Sequence, residues 1–440
     1  MGNTHNKSVQ HKNQKQSSHS ARDGQAYSSQ FSLSHFVGNL SGRSYVSVTS
    51  NQSVYSASRP WSRVSRRRWN DSTLKNPLEA SKTAWPVAHK ESIFLPEFPI
   101  TTDLLHKDFQ LVKKIAKGAY GEVYKVKKLS EDKEYALKVL RKSQIVSENA
   151  VSQVKEEARI QTACGHHSFI AGAVSRWQTK KRLYIVSEYI PGGELLALID
   201  KYGKLPEELV KIFVAEIAIA IDFLHNAGVI YRDLKPENIL LDSDFHIQLI
   251  DFGLSKWLSI GSRTTTLCGT LKYMAPEVLS REPYGHAADW WSLGVVLCYM
   301  MTGEFPAPAI GATAINELKY NEDNNSSATK EHLATDNEHG GARSGQPRPG
   351  TLPECASELS NAARSLLNRL LDTDPKVRMK NIRQLQQTAF YMGFNFEHVK
   401  AKKMSPKTIF ERHFPDYKEP NLPTANEQEF ASFDHEFLPL

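Results

Sequence analysis

Up to about residue 90 the chain shows no sustained hydrophobic period, and from residue 109 it acquires one. Residues 109–115 and 123–126 read as two strands around a glycine-bearing turn, Lys117-Gly118-Ala119-Tyr120-Gly121-Glu122. Residues 135–139 read as a third strand, the stretch VKEEARI around Glu157 as the helix after it, and residues 183–189 as another apolar strand. Pro191-Gly192-Gly193-Glu194 opens the next helix. Between residues 207 and 225 the apolar side chains Val210, Phe213, Val214, Ile217, Ile221 and Leu224 recur at helical spacing, which predicts a scaffold helix. Residues 239–241 and 247–250 flank a turn at Asp242 to Asp244 and predict a short hairpin with a loop at each end. A second amphipathic helix is predicted over 358–371, and the core closes near Met392.

The hairpin matters because of what its loops carry. Asp233, Lys235, Asn238 and Asp251 supply two carboxylates, an ammonium and an amide oxygen within twenty residues. Phosphoryl transfer asks for such a set: a group to orient the attacking hydroxyl, a cation for the phosphate, and oxygen ligands for Mg²⁺. A solvated polar loop is the plain alternative, but it does not account for this order of groups. The turn at Gly118 and Gly121 can bring backbone N–H groups close to phosphates, although such a turn alone is a weak signal.

Composition changes the picture mainly at the ends. The 440 residues carry a formal net charge of +7, but residues 1–90 hold 13 Lys/Arg against 3 Asp/Glu, which leaves the remaining chain slightly acidic. The basicity therefore belongs to an N-terminal extension, and nucleic-acid binding through Arg66, Arg67 and Arg68 lacks any recognised module. The four cysteines, Cys164, Cys268, Cys298 and Cys355, have no metal or redox spacing, consistent with a reduced, cytoplasmic protein. No apolar stretch is long enough to span a bilayer. The first 95 residues are expected to be disordered, as is a polar insertion at 315–350. Met1-Gly2-Asn3 permits N-myristoylation at Gly2, with Asn6 standing where the pattern prefers Ser or Thr. An acyl chain there and the arginine run could act together at an anionic membrane, since one acyl chain alone binds marginally.

The stretch YRDLKPEN at 231–238, followed by Asp251-Phe252-Gly253, resembles the catalytic and metal-binding loops of eukaryotic protein kinases. The tyrosine before Arg232 is similar to the AGC group of Ser/Thr kinases, and FNFEHVKAKKMSP at 394–406 resembles the start of an AGC C-terminal tail, nearest to that of ribosomal protein S6 kinases. The resemblance covers roughly residues 105–435. It implies an α+β, bilobal fold: a small β-rich N-lobe, a larger helical C-lobe, ATP between them, and a kinase domain at 105–392 followed by an AGC-type tail at 393–440. It implies ATP and Mg²⁺ as cofactors and protein substrates, with the chain a monomer.

Position by position, the resemblance assigns Asp233 to the substrate hydroxyl, Lys235 to the γ-phosphate, and Asn238 and Asp251 to Mg²⁺. It assigns Ile115, Ala116, Gly118, Gly121, Val123, Lys138, Glu188 and Glu194 to the ATP site, with Glu157 as the partner of Lys138 and Glu156 as its rival. Ala116 replaces the first glycine of the family's loop, and Ser187 occupies the gatekeeper position. Glu194 and Glu237 match carboxylates that hold ribose or a basic substrate residue, favouring Arg upstream of the acceptor. Thr266 matches an activating phosphorylation site, served by an upstream kinase, and Thr270 the threonine bracing Asp233 and Lys235. Glu277 should pair with Arg378, and Asp289 should anchor the catalytic-loop backbone. Near the C-terminus, Phe430, Phe433 and Asp434 resemble the hydrophobic motif, with Asp434 in place of the phosphorylated residue, expected to dock beside the Glu157 helix. The rival reading is a pseudokinase scaffold, which Ala116 and the 315–350 insertion favour slightly and the retained catalytic set opposes.

Overall fold

A computed structural model describes residues 89–100, 108–259, 261–309 and 347–416. Gly2, Arg66 to Arg68, Phe430, Phe433 and Asp434 lie outside the described residues, as does most of the 315–350 insertion.

Alternating apolar positions build the first layer. Strands β1 (Phe109–Lys117), β2 (Gly121–Lys128), β3 (Lys133–Arg141), β4 (Ala173–Gln178) and β5 (Arg182–Glu188) form an antiparallel sheet in the order β1-β2-β3-β5-β4. In β3 the inward positions Tyr135, Leu137 and Val139 are buried, and the sheet face they share packs Trp177 on Tyr184 at 5.1 Å between rings. Helices α1 (Lys142–Ser147) and α2 (Val151–Cys164) cover the other face. Gly121 is required here: a Cβ on it would sit 1.8 Å from the Val139 carbonyl oxygen. Ala116 pairs with Val123 inside the β1–β2 ladder, an extended position in which an alanine is not strained.

The lobe starts earlier than the boundary expected at residue 105, and residues 91–95 are not part of a disordered extension. A helical turn at His89–Ser92 leads into a segment whose Phe94 and Phe98 are fully buried against α1, α2 and β5. Burying two phenylalanine side chains contributes about 2–3 kcal/mol each, enough to order a segment of ten residues only with the polar contacts described below.

The second lobe is helical. Helices α3 (Leu195–Tyr202), α4 (Glu207–Asn226), α5 (Ala287–Thr302) and α6 (Asn361–Leu370) surround a large apolar core. Helix α4 is apolar almost all round, and α5 buries Trp290 and Trp291, so both run through the core and not along its surface. The predicted helix over 358–371 is shorter: Glu354–Glu358 is a 3₁₀ turn, and Ser360 caps α6 by accepting from the Ala363 N–H. The insertion closes at its base. Ala307 exchanges backbone hydrogen bonds with Gly350 and Thr351 at 2.8 Å, so residues 347–350 belong to the ordered core. Nor does the core end at Met392: Phe396, Val399 and the helix α7 (Pro406–His413), through Ile409 and Phe410, pack on it.

Candidate active site

Between the lobes, the strands β6 (Val229–Ile230), β7 (Ile239–Leu241), β8 (Ile247–Leu249) and β9 (Lys256–Trp257) form two small pairs, β6 with β9 and β7 with β8. The β7–β8 pair is the predicted hairpin, and the loops at its open end hold the candidate residues. Asp289 on α5 fixes the first loop: its carboxylate accepts the N–H groups of Tyr231 and Arg232, each at 2.8 Å, and contacts His225 Nε2 at 2.7 Å. Arg232 takes a left-handed backbone, φ 70°, that these two bonds help hold. Tyr231 is buried and its hydroxyl donates to the Ile250 carbonyl, tying this loop to the one that carries Asp251. Nothing in the sequence pointed to His225, a last-turn helix residue with no motif around it.

Within the loop Asp233 is the hub. Its Oδ1 accepts from Thr270 Oγ1 at 2.9 Å, and its Oδ2 accepts from Asn238 Nδ2 at 2.9 Å and faces Lys235 Nζ at 3.1 Å. Lys235 also donates to Thr270 Oγ1 at 2.9 Å, so four side chains from residues 233–270 close one network, in which Asp233, Lys235 and Asn238 are buried and Thr270 is half-buried. A carboxylate held on both oxygens keeps one orientation, which is what positioning a hydroxyl demands. Asn238 spends its N–H₂ on the Asp233 carboxylate and carbonyl, leaving its amide oxygen as a metal acceptor.

Across the cleft, β3 and α2 bring Lys138 Nζ to 2.6 Å from Glu157 Oε1. Burial opposes the Lys138 charge, but Glu157 and Asp251 outweigh it and hold the ammonium above its ordinary value. The rival Glu156 points elsewhere, accepting the N–H of Trp257 at 3.0 Å. Asp251 takes φ 57° and its Oδ1 accepts the Gly253 N–H at 3.1 Å, a tight turn that leaves its carboxylate exposed. Asp251 with the Asn238 oxygen is a hard, oxygen-only pair suited to Mg²⁺, which takes one or two carboxylates together with substrate phosphates. Among the described residues no cluster of three or more His, Cys, Asp or Glu could hold a metal by itself.

The segment linking the lobes is pinned to the hairpin. Gly192 N–H donates to Leu241 O at 2.8 Å and Leu241 N–H to Gly193 O at 2.9 Å, and a Cβ on Gly192 would sit 2.5 Å from that Leu241 oxygen. Glu188 turns its side chain to Lys133 at 2.6 Å and is exposed, which leaves only its main chain for the cleft. Glu194 is different. Burial, and then the charge of Glu237, push its carboxyl up to about 7, and Glu237 is raised as well, chiefly by burial, with one oxygen buried and unpartnered. Ile115 and Val123 frame the glycine turn from β1 and β2, and Gly118 N–H closes it on Gly121 O at 2.8 Å.

Beyond β9, Thr264 and Thr266 hydroxyls lie 3.2 Å apart, Lys256 Nζ is 3.4 Å from Thr264 Oγ1, and Tyr284 OH donates to the Thr266 carbonyl at 2.6 Å. Arg232 Nε donates to Leu254 O at 2.6 Å, but its Nη1 is buried with no hydrogen-bond partner. Lower down, Glu277 and Arg378 form a buried two-bond pair at 2.6 and 2.9 Å.

The two lobes, with the Lys138–Glu157 pair on one and the Asp233 loop on the other, form an arrangement of the protein kinase type. Residues 109–391 match the family described as Protein kinase domain. The chain is 35% identical over 334 residues to the human ribosomal protein S6 kinase-related protein, covering 76% of this chain and 74% of that one. It is 35% identical over 303 residues to the Arabidopsis thaliana serine/threonine-protein kinase AtPK1/AtPK6, 68% and 58% of the two chains. It is 48% identical over 196 residues to protein kinase 2 of Dictyostelium discoideum, 44% and 41%. The chain belongs to the protein kinase family, within its AGC-type Ser/Thr branch. It spans little more than half the length of several of these relatives, 56% in the case of a Caenorhabditis elegans protein 43% identical over 245 residues. No described helix is long and apolar enough to cross a membrane.

Proposed function

We propose that this chain is an ATP- and Mg²⁺-dependent protein kinase that transfers the γ-phosphate to Ser or Thr of protein substrates. The observation that carries the reading is the closed Lys138–Glu157 pair at 2.6 Å facing a catalytic loop in which Asp233 is fully oriented. Both halves of the phosphoryl-transfer machinery are thus assembled in one chain. Asp233 would take the hydroxyl proton, Lys235 and Lys138 would neutralise phosphate charge, and Asn238 and Asp251 would hold Mg²⁺, which would supply further neutralisation of the phosphate charge. Ile115, Val123 and the Gly118–Gly121 turn would cover the nucleotide. Glu194 and Glu237, two neighbouring carboxylates raised chiefly by burial and only partly offset by Lys235, support a preference for Arg upstream of the acceptor.

Thr266 is the site at which we place activating phosphorylation by an upstream kinase. The unpartnered Arg232 Nη1 and the nearby Lys256 support it, because a phosphate there gains charge-assisted partners. Contact with an anionic membrane through an acylated Gly2 and the Arg66 to Arg68 run is a further part of the proposal. Unchanged cell fractionation after Gly2→Ala would remove it.

The deciding assay is phosphate transfer from Mg·ATP to an Arg-containing Ser/Thr peptide library, with the chain phosphorylated at Thr266 and Asp233→Ala as control. Transfer that the control abolishes supports catalysis. Nucleotide binding without transfer would replace the enzyme with a scaffold.

A further inference from the structure

The groove beside the Glu157 helix already has an occupant in this chain. Phe94 and Phe98 are 0% exposed and pack on Leu140, Ile145, Val154 and Leu183. This is the place beside α2 where Phe430 and Phe433 were expected to dock, and an aromatic pair so completely buried leaves a second pair to enter only by displacing it.

Polar contacts lock the segment in register. Lys155 Nζ donates to the carbonyls of Ile93 and Leu95 at 3.2 and 2.7 Å. Glu97 pairs with that ammonium at 3.0 Å and with Arg159 at 2.5 Å. Burial works against the Glu97 charge, but a backbone hydrogen bond together with Lys155 and Arg159 keeps its carboxyl below the ordinary value. On the strand side, the Gln178 side chain donates to Phe98 O at 2.5 Å, its main chain to Pro99 O at 2.9 Å, and Lys142 Nζ lies 5.4 Å above the Phe94 ring.

Lys155 and Arg159 sit two residues either side of Glu157 on α2. At 3.6 residues per turn each is about 200° around the axis from it, so the segment grips α2 from the face opposite Lys138. We propose that residues 91–100 are an intramolecular strap that holds α2, and with it Glu157, in reach of Lys138, and that this groove takes its aromatic pair from the N-terminal side of the lobe and not from Phe430 and Phe433. Phe94, Glu97 and Phe98 are then positioning residues, acting through Glu157. The activity arm of the test rests on the kinase reading; the structural arm does not.

The experiment uses the full chain. Phe94→Ala with Phe98→Ala lowers kcat about tenfold or more, as the helix-in population falls, and a peptide of residues 90–101 added in trans restores it. Hydrogen exchange in 151–164 rises in this variant while 207–226 stays protected. Should that variant not fold, Glu97→Lys keeps the aromatic pair and still raises exchange in 151–164, Glu97→Asp does not, and the swap Glu97→Arg with Arg159→Glu recovers protection. Phe430→Ala with Phe433→Ala changes neither readout. The strap is overturned if the 430/433 variant exposes 151–164, if a folded strap variant keeps full activity and protection, or if a peptide of residues 427–437 rescues where 90–101 does not. An unsubstituted chain without turnover would sink the kinase reading alone, since exchange in 151–164 still decides the strap.

Discussion

The two halves of the active site are held in place by different means. In the C-lobe, Asp233 is oriented by Asn238, Lys235 and Thr270, and the loop carrying it hangs from Asp289 on a helix buried in the largest core of the molecule. Every partner is in that lobe. In the N-lobe, the Lys138–Glu157 pair joins a strand to a helix whose outer face is gripped by residues 91–100, some sixty positions upstream. The first arrangement is held by the core of its own lobe; the second also depends on a segment from outside the sheet and α2, which packs Phe94 and Phe98 into the N-lobe core.

Substitutions sharpen that contrast, in descending order of effect. Asp233→Asn should cut kcat by about 10²–10⁴-fold in a chain that still folds but melts lower, because it removes the proposed proton acceptor and leaves Thr270, or Asn238 and Lys235, facing an N–H₂ in place of an oxygen; peptide phosphorylation alongside calorimetry checks both. Asp289→Ala should destabilise the C-lobe by about 3 kcal/mol, since it leaves the N–H groups of Tyr231 and Arg232 buried without acceptors. A loss confined to activity in a denaturant titration would contradict the anchoring role.

The next effect is a pH dependence. Glu194 is raised from the usual 4.5 to about 7, so the folded chain holds its proton more tightly than the unfolded one. Its share of stability is present below pH 4.5 and is lost as pH rises through about 7. Binding runs the other way: an upstream Arg prefers the ionised carboxylate, so KM for such a peptide should fall several-fold between about pH 6 and 8. Glu194→Gln should flatten that profile, and a slope that survives the substitution would assign it elsewhere. Smallest of all, Ala116→Gly should cost the N-lobe on the order of 0.5–1 kcal/mol, through the strand-interior penalty of glycine. A several-fold fall in KM for ATP would show that the alanine restricts the turn.

Much of the site was legible because its chemistry is local. Asp233 to Asn238 and Asp251 lie on one hairpin whose apolar alternation is visible in the chain, so order along the sequence and proximity in space nearly coincide. Glu157 needed a choice against Glu156, and helical phase made it: one faces Lys138, the other the N–H of Trp257. The segment at 91–100 was hidden for the opposite reason. IFLPEFPI has neither a period of 2 nor of 3.6, and its aromatic residues acquire meaning only from the groove they fill. The same holds for the ends of the insertion and for the helices after Met392, where a single core-facing pair such as Ile409 and Phe410 decides what is tail and what is domain.

By itself the sequence determined the candidate site residues, the strands and the scaffold helices, since motif order and periodicity are properties of neighbours along the chain. The tertiary structure alone decided which carboxylates are buried beside one another until one is raised to about 7, and which aromatic pair sits behind α2. Those outcomes depend on burial and on contacts between residues tens of positions apart, where desolvation and packing set the energy and no local pattern records it.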